Sequence, residues 1–208
     1  MPTSFLPPQE IKRIYGKVED FEEPIPDHIY HAGYQAGQVT DDTEQTILIA
    51  QTLLENKKAD PYEISKALLK WFYSVGGVDS NAVGPSSMAA LTAIEAGRSL
   101  EESGKRGDTN GAAMRISPVG ILYLNHTGNL KSILEDVYHV CLPTHGSNQA
   151  ISGASALAYG ISVALKGENL DTIISATISG AKEGESYGYP VLGPSIVKRI
   201  ELAVDMVW

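Results

Sequence analysis

The segment Gly146 to Lys166 constrains this chain more than any other. Its apolar residues Ile151, Ala154, Leu157, Ile161 and Leu165 recur at intervals of three and four, with many Ala and Ser between them. That period belongs to a helix, and the small residues let neighbouring helices approach closely, so it is expected to be central. Gly167 is expected to end it. The same period runs through nearly everything after residue 40. Thr40 or Asp41 caps a helix to about Glu55. Asp60 and Pro61 open another, with Ile64, Ala67, Leu68, Trp71 and Phe72 inward and Lys66 and Lys70 outward. Gly84-Pro85 precedes a third, carrying Met88, Leu91 and Ile94, and Ser99 to Ser103 adds a short turn. Met114 to Tyr123 is divided or kinked by Pro118. Asn129 to Val140, Asp171 to about Glu183, and Ser195 to the end complete the series. Strand candidates are short, with no alternation of strand and helix, so the fold class is all-α: a compact orthogonal helical bundle in one domain, residues 1–208.

Before residue 40 the pattern is weaker. Pro7-Pro8 leads into a short helix with Ile11, Ile14 and Tyr15 on one face, stopped by Gly16. Residues 17–38 hold Pro24, Pro26, Gly33 and Gly37, with His28, Tyr30 and His31 close together, and no regular structure is expected there.

Charge narrows the function classes. Sixteen Lys and Arg against 25 Asp and Glu give a net charge of −9, which argues against nonspecific binding to nucleic acid. No apolar run is long enough to cross a membrane and no signal-peptide pattern begins the chain, so the expected location is cytoplasmic. The lone Cys141 fits a reducing compartment and packs with Val137 rather than acting as a nucleophile.

Three stretches carry candidate chemistry. In the first, Asp41, Asp42 and Glu44 stand at a helix start, beside Thr40 and Thr43. Acids there are stabilised by the free amides and the helix dipole without any further role. Two adjacent carboxylates with hydroxyls are equally a donor set for a hard cation such as Mg²⁺. The second is the polar turn from Arg106 to Pro118, which delivers Asp108, Thr109, Asn110 and Gly111. It suits an anion or a ribose hydroxyl, with Asn110 alternatively a helix cap. Arg115 binds phosphate or pairs with an acid. The third, Pro143 to Asn148, puts His145 and Ser147 at the head of the central helix. His145 is an acid, a base or a ligand, or else a satisfied structural histidine. No serine-hydrolase triad is supported. The glycine-rich loop from Gly180 to Gly193, with Tyr187 and Tyr189, stacks on a base or folds over the bundle.

Taken in order, these stretches resemble the ADP-ribosylglycohydrolase family. The resemblance rests on Pro2 to Gly16, on Thr40-Asp41-Asp42-Thr43, and on Val83-Gly84-Pro85-Ser86-Ser87. It continues through Asn110-Gly111-Ala112-Ala113-Met114-Arg115 and Thr144-His145, and so covers essentially the whole chain. It implies an all-α, magnesium-dependent hydrolase of a ribosyl glycosidic bond, most simply one removing ADP-ribose from a protein or small molecule. By the same resemblance Thr40, Asp41 and Asp42 are metal ligands. Asn110, Gly111, His145 and Ser147 are expected at the substrate, where a base would activate water against an anomeric carbon.

Two departures qualify this. The usual first helix of the family is absent, and Ser4 stands where an acidic residue often follows it, which leaves Asp108 and Glu44 as candidate bases, Asp108 slightly preferred. The closing Gly-Asp-x-Asp-Thr motif is also absent, since Asp205 is the one aspartate beyond Glu183. The expectation is a domain truncated at both ends. A product of a split gene and a degenerate homologue, binding ADP-ribose or a nucleotide without turnover, are the competing readings, and a nucleoside-like substrate is a further alternative. Val204, Val207 and Trp208 would need a partner surface, which makes self-association an expectation.

Overall fold

In the computed structural model, which describes residues 2–124 and 130–207, glycine and other small residues decide where helices meet. The central helix α8, Asn148–Ala164, lies against α9, Leu170–Gly184. A Cβ at Gly180 would come within 2.5 Å of the Ser155 carbonyl oxygen, and one at Gly184 within 2.7 Å of Ser155 Oγ. Ser152 Oγ then donates to the Ala181 carbonyl across the seam, at 2.8 Å. On another side α6, Ser117–Leu122, presses Gly120 on α8, where a Cβ would meet the Ala158 carbonyl oxygen at 2.7 Å. Small residues therefore make most of the buried face of α8, with Ile151 its one large fully buried apolar side chain. Its Leu157 and Leu165, expected inward, are 45% and 46% exposed, because Ala154, Ser155 and Ala158 take the inner face and let the neighbours close.

The remaining helices are α1 (Pro8–Tyr15), α2 (Asp41–Asn56), α3 (Pro61–Ser74), α4 (Pro85–Glu95), α5 (Leu100–Gly104), α7 (Leu130–His145) and α10 (Ile196–Asp205). Asp60 caps α3 as expected, accepting from the amides of Tyr62 and Glu63, and Ser99, Ser147, Asn169 and Ser195 cap α5, α8, α9 and α10. Pro118 divides its segment into a 3₁₀ turn, Ala113–Arg115, and α6. Ile49, Ile64, Leu68, Phe72, Leu91, Val119, Val137 and Ile151 form one continuous core, and Cys141 is fully buried within it, its thiol pushed up to about 12 by burial. Among the described residues there is no strand, and no helix is long and apolar enough to cross a membrane.

One helix end and one loop differ from expectation. Helix α7 continues past Val140 through Pro143, so His145 closes α7 rather than heading α8. This end of α7 is fixed by close backbone contact. A Cβ on Gly104 or Gly107 would lie 2.0 Å from the carbonyl oxygen of Leu142 or Thr144. Helix α9 runs through Gly180 to Gly184, so the connecting loop is shorter than its glycines suggest. That loop folds over the bundle: Tyr187 packs on the core, and Tyr189 exchanges backbone hydrogen bonds with Gly146 and Asn148. The expected start of α7 at Asn129 and the terminal Trp208 lie outside the described residues.

Candidate functional site

The three motif stretches converge on one side chain. Arg115 is fully buried, and instead of meeting phosphate or an acid it donates to Gln45 Oε1 at 2.7 Å, Val140 O at 3.1 Å and Thr144 Oγ1 at 2.7 Å. Gln45 belongs to the first turns of α2, and Thr144 to the last turn of α7. The guanidinium thus ties the Thr40–Thr46 stretch, its own turn and His145 together. Thr46 Oγ1 adds a second tie, 3.2 Å from the Met114 carbonyl oxygen. Burial lowers Arg115 to about 10, which leaves it charged at neutral pH, and among the described residues no carboxylate pairs with it. The helical period of α2 explains the division of labour. Gln45, Ile49 and Leu53 point inward, while Thr40, Asp41 and Glu44 stay at the rim.

His145 is also buried, at 1% exposure. Thr144 Oγ1 lies 2.8 Å from its Nδ1, and Thr109 Oγ1 lies 2.9 Å from its Nε2. Burial, and then the charge on Arg115, bring its pKa down to about 3, so it is neutral at physiological pH. Gly111 is required beside it, because a Cβ there would fall 2.5 Å from His145 Cε1 and 2.6 Å from Nε2. Ser147, expected at the substrate, has its hydroxyl engaged elsewhere. It donates to Gly107 O at 2.6 Å and caps α8 at Ala150 N. Asp108 and Asn110 are exposed on the turn, and Asn110 accepts from Met114 N through its backbone oxygen.

The acidic end is built differently. Thr40 is the N-cap residue of α2, but its hydroxyl donates to Asp42 Oδ2 at 3.1 Å rather than capping an amide. Asp41 is half-buried. Desolvation, reinforced by the neighbouring Asp42 charge, pushes its carboxyl up to about 6. Glu44 accepts from Trp71 Nε1 at 2.7 Å. Among the described residues, no Lys, Arg or His forms an ion pair with Asp41, Asp42 or Glu44. Thr40, Asp41 and Glu44 line a cleft of about 390 Å³ together with Tyr30, Tyr34 and Asn81. A larger groove of about 490 Å³ between α2 and α3 shares Glu44 and is lined by Trp71, but includes neither Thr40 nor Asp41.

Tyr30, Tyr34 and Asn81 do not stand out in the sequence. The first two belong to the irregular stretch before α2, and His28 is what places them. Its Nδ1 accepts from the amides of Tyr30 and His31, at 3.2 and 3.1 Å, and its Nε2 donates to Ser4 O at 3.0 Å. A histidine that accepts two successive backbone amides folds the chain back on itself, and the clustering of His28, Tyr30 and His31 was the available signal.

Oxygen donors at the head of α2 suit a hard cation in kind: two carboxylates, one of them raised by burial and by the charge of the other, and one hydroxyl. Among the described residues, no group of three or more His, Cys, Asp or Glu side chains could hold a metal. Thr40, Asp41 and Asp42 therefore do not by themselves make up such a group.

Comparison with known proteins bears on the whole chain. The sequence pattern of the family described as ADP-ribosylglycohydrolase matches residues 1–207. The chain is similar to the uncharacterized protein YegU of Escherichia coli (strain K12), with 32% identity over 208 residues, covering 100% of this chain and 62% of that protein. It is similar also to an uncharacterized protein of Archaeoglobus fulgidus, with 35% identity over 161 residues, 77% of this chain and 49% of that one. The chain thus spans less than two thirds of the length of either relative. With the match running through every described helix, the chain belongs to the ADP-ribosylglycohydrolase family.

Proposed function

We propose that this chain forms the larger part of a magnesium-dependent hydrolase site that cleaves a ribosyl glycosidic bond, removing ADP-ribose from a protein or a small molecule. The observation that carries this reading is the acidic rim of the 390 Å³ cleft, where Asp41 is driven up to about 6 beside Asp42 and, among the described residues, no Lys, Arg or His pairs with either. Such a pair is costly unless something positive binds it. Thr40, Asp41 and Asp42 would hold Mg²⁺, whose chemistry when bound is to polarise and orient oxygen ligands such as ribose hydroxyls.

The chain's own groups have distinct parts in this reading. Glu44 opens on the same cleft as Asp41, and its carboxylate is oriented by the Trp71 indole. It is therefore favoured over Asp108 as the base that takes a proton from water, since Asp108 lies on an exposed turn outside that cleft. Tyr30 and Tyr34 offer aromatic faces against a ligand ring. Asn110 and Gly111 form the turn that lies against His145, and His145, being neutral, orients that turn rather than transferring protons. Ser147 supports the substrate turn at one remove by holding Gly107.

A second reading, binding of ADP-ribose or a nucleotide without turnover, is favoured by the short ligand set, two carboxylates and a hydroxyl. Calorimetric titration of the chain with Mg²⁺, with and without ADP-ribose, followed by an assay for release of ADP-ribose from a modified protein, separates the two. Hydrolysis that requires Mg²⁺ and is lost in Asp41→Asn and Glu44→Gln is the expected result. ADP-ribose binding with no release would establish the binding reading. Absence of both metal and ligand binding at millimolar concentration would overturn both.

A further inference from the structure

The hydrogen bonds around His145 have a direction, and Arg115 sets it. We infer that Arg115 is a positioning residue that polarises a one-way chain, Arg115 to Thr144 to His145 to Thr109 to Ser86, and thereby holds His145 as the tautomer protonated on Nε2.

The argument is an accounting of protons in a buried place. A guanidinium has donors and no acceptor, so Thr144 Oγ1, 2.7 Å from Arg115 Nη2, accepts from it. The one proton of the Thr144 hydroxyl must then go elsewhere. His145 Nδ1, 2.8 Å away, is the acceptor within reach, and Thr144 and His145 are 0% and 1% exposed, so water offers no alternative. With Nδ1 accepting, a neutral imidazole carries its proton on Nε2, which donates to Thr109 Oγ1 at 2.9 Å. Thr109 has then accepted, and its own proton is directed to Ser86 Oγ at 3.2 Å, at the first turn of α4. Every proton along the path has an acceptor.

The opposite direction fails at its buried end. If His145 carried its proton on Nδ1, Thr144 Oγ1 would accept from both Arg115 and His145. Its own proton would then be left without an acceptor, which costs about 1–3 kcal/mol for a buried polar group. A doubly protonated ring fails in the same way and would add a second positive charge near Arg115. Gly111 contributes by leaving room for the ring between the two threonines. The consequence is at the surface. The chain reaches half-buried Ser86 as a series of donors, so the Ser86 hydroxyl accepts from Thr109 and keeps its own proton for a further acceptor oxygen.

The test reads the tautomer directly and does not depend on hydrolytic activity, so its failure and the failure of the proposed function are distinguishable. Long-range ¹H–¹⁵N spectra of histidine-labelled protein separate the two neutral tautomers by their cross-peak pattern, and among the five histidines His145 is assigned by the signal lost in His145→Gln. The expected result at neutral pH is the Nε2–H pattern. Thr144→Ser should keep it, because the hydroxyl remains, and Thr144→Val should convert it to a mixture or to Nδ1–H. Arg115→Lys, still a donor without an acceptor, should preserve the pattern that Arg115→Met loses. Should Arg115→Met not fold, the Thr144 pair still decides. An Nδ1–H pattern in the unaltered protein, or an Nε2–H pattern that persists in folded Thr144→Val, would overturn the inference.

Discussion

The head of α2 and the end of α7 are joined through Arg115, yet they are built on opposite terms. At the end of α7 the polar atoms of Thr144 and His145 are enclosed, and their hydroxyl and ring nitrogens have partners inside the chain. Glycines 104, 107 and 111 let backbone and ring approach to distances no other residue permits. At the head of α2 the carboxylates stand at a cleft rim, crowd one another and, among the described residues, form no ion pair. One region spends its polar groups on fixing shape. The other keeps acidic groups uncompensated, which makes sense where the balancing charge arrives from outside. The contrast says where to look for ligand binding and where to look for stability, and each side can be tested separately.

Gly107→Ala should produce the largest effect at neutral pH, and on stability. Its Cβ would lie 2.0 Å from the Thr144 carbonyl oxygen, and a backbone atom in a buried helix end cannot swing aside as a side chain can. Overpacking of this kind costs about 1–3 kcal/mol and occasionally more, and the upper end is expected here. Urea unfolding should show a midpoint well below that of the unaltered chain. Gly153→Ala, inside α8 with nothing within 4 Å of its Cβ, serves as the control and should be neutral or stabilising by up to about 1 kcal/mol. Equal effects at the two positions would remove the tightly packed region from the comparison.

The next effect is on acid stability. His145 has its pKa lowered to about 3 in the folded chain, from an ordinary value of 6.5. The folded state thus refuses a proton that the unfolded state accepts. Above pH 6.5 neither state is protonated there and the contribution to stability is intact. As pH falls from 6.5 toward 3, stability is lost with a slope approaching about 1.4 kcal/mol per pH unit. Denaturation curves at a series of pH values should show that slope in the native chain and a shallower one in His145→Gln. An identical slope in both would mean that the histidine is not the group whose protonation is suppressed.

Much of this was legible in the sequence, and the failures share a physical cause. Caps and periods announce themselves locally: Asp60 before Pro61, or Ile64, Leu68 and Phe72 along α3, need no tertiary knowledge. The acidic head of α2 is likewise local. Arg115 was not readable, because an arginine in a polar turn normally finds an acid or an anion. That this one finds Gln45, Val140 and Thr144 depends on three elements meeting. The end of α7 misled for a related reason. Pro143 and the polar residues after it suggest a helix break, whereas close packing on Gly104 and Gly107 fixes that turn as helix. The inner face of α8 reversed a habit of reading. Leu157 and Leu165 look like core, but a helix packed through alanine, serine and glycine has no room for them there. The cleft wall at Tyr30 and Tyr34 is set by one histidine gathering backbone amides, which no periodicity reports.

Asp41→Asn should give the smallest effect and the one most informative about the acidic end, because its sign is unusual. The Asp41 carboxyl rises from an ordinary 3.8 to about 6 in the folded chain. For an acid, this means that folding disfavours the charged form. Below pH 3.8 the carboxyl is protonated in both states and there is no penalty. The penalty grows as pH rises from 3.8 toward 6 and is fully present above that. Asp41→Asn should therefore raise the melting temperature at pH 7.5 in the presence of a chelator, modestly, since the group is only half-buried and solvent screens part of the repulsion. At pH 4 the variant and the unaltered chain should converge. Excess Mg²⁺ at pH 7.5 should then reverse the order, stabilising the unaltered chain by mass action while leaving the variant nearly unmoved. A variant that melts lower than the unaltered chain under chelation would mean that Asp41 serves the fold, and the contrast between the two regions would collapse. A variant that melts higher but is stabilised equally by Mg²⁺ would keep the contrast and take Asp41 out of the cation's ligand set.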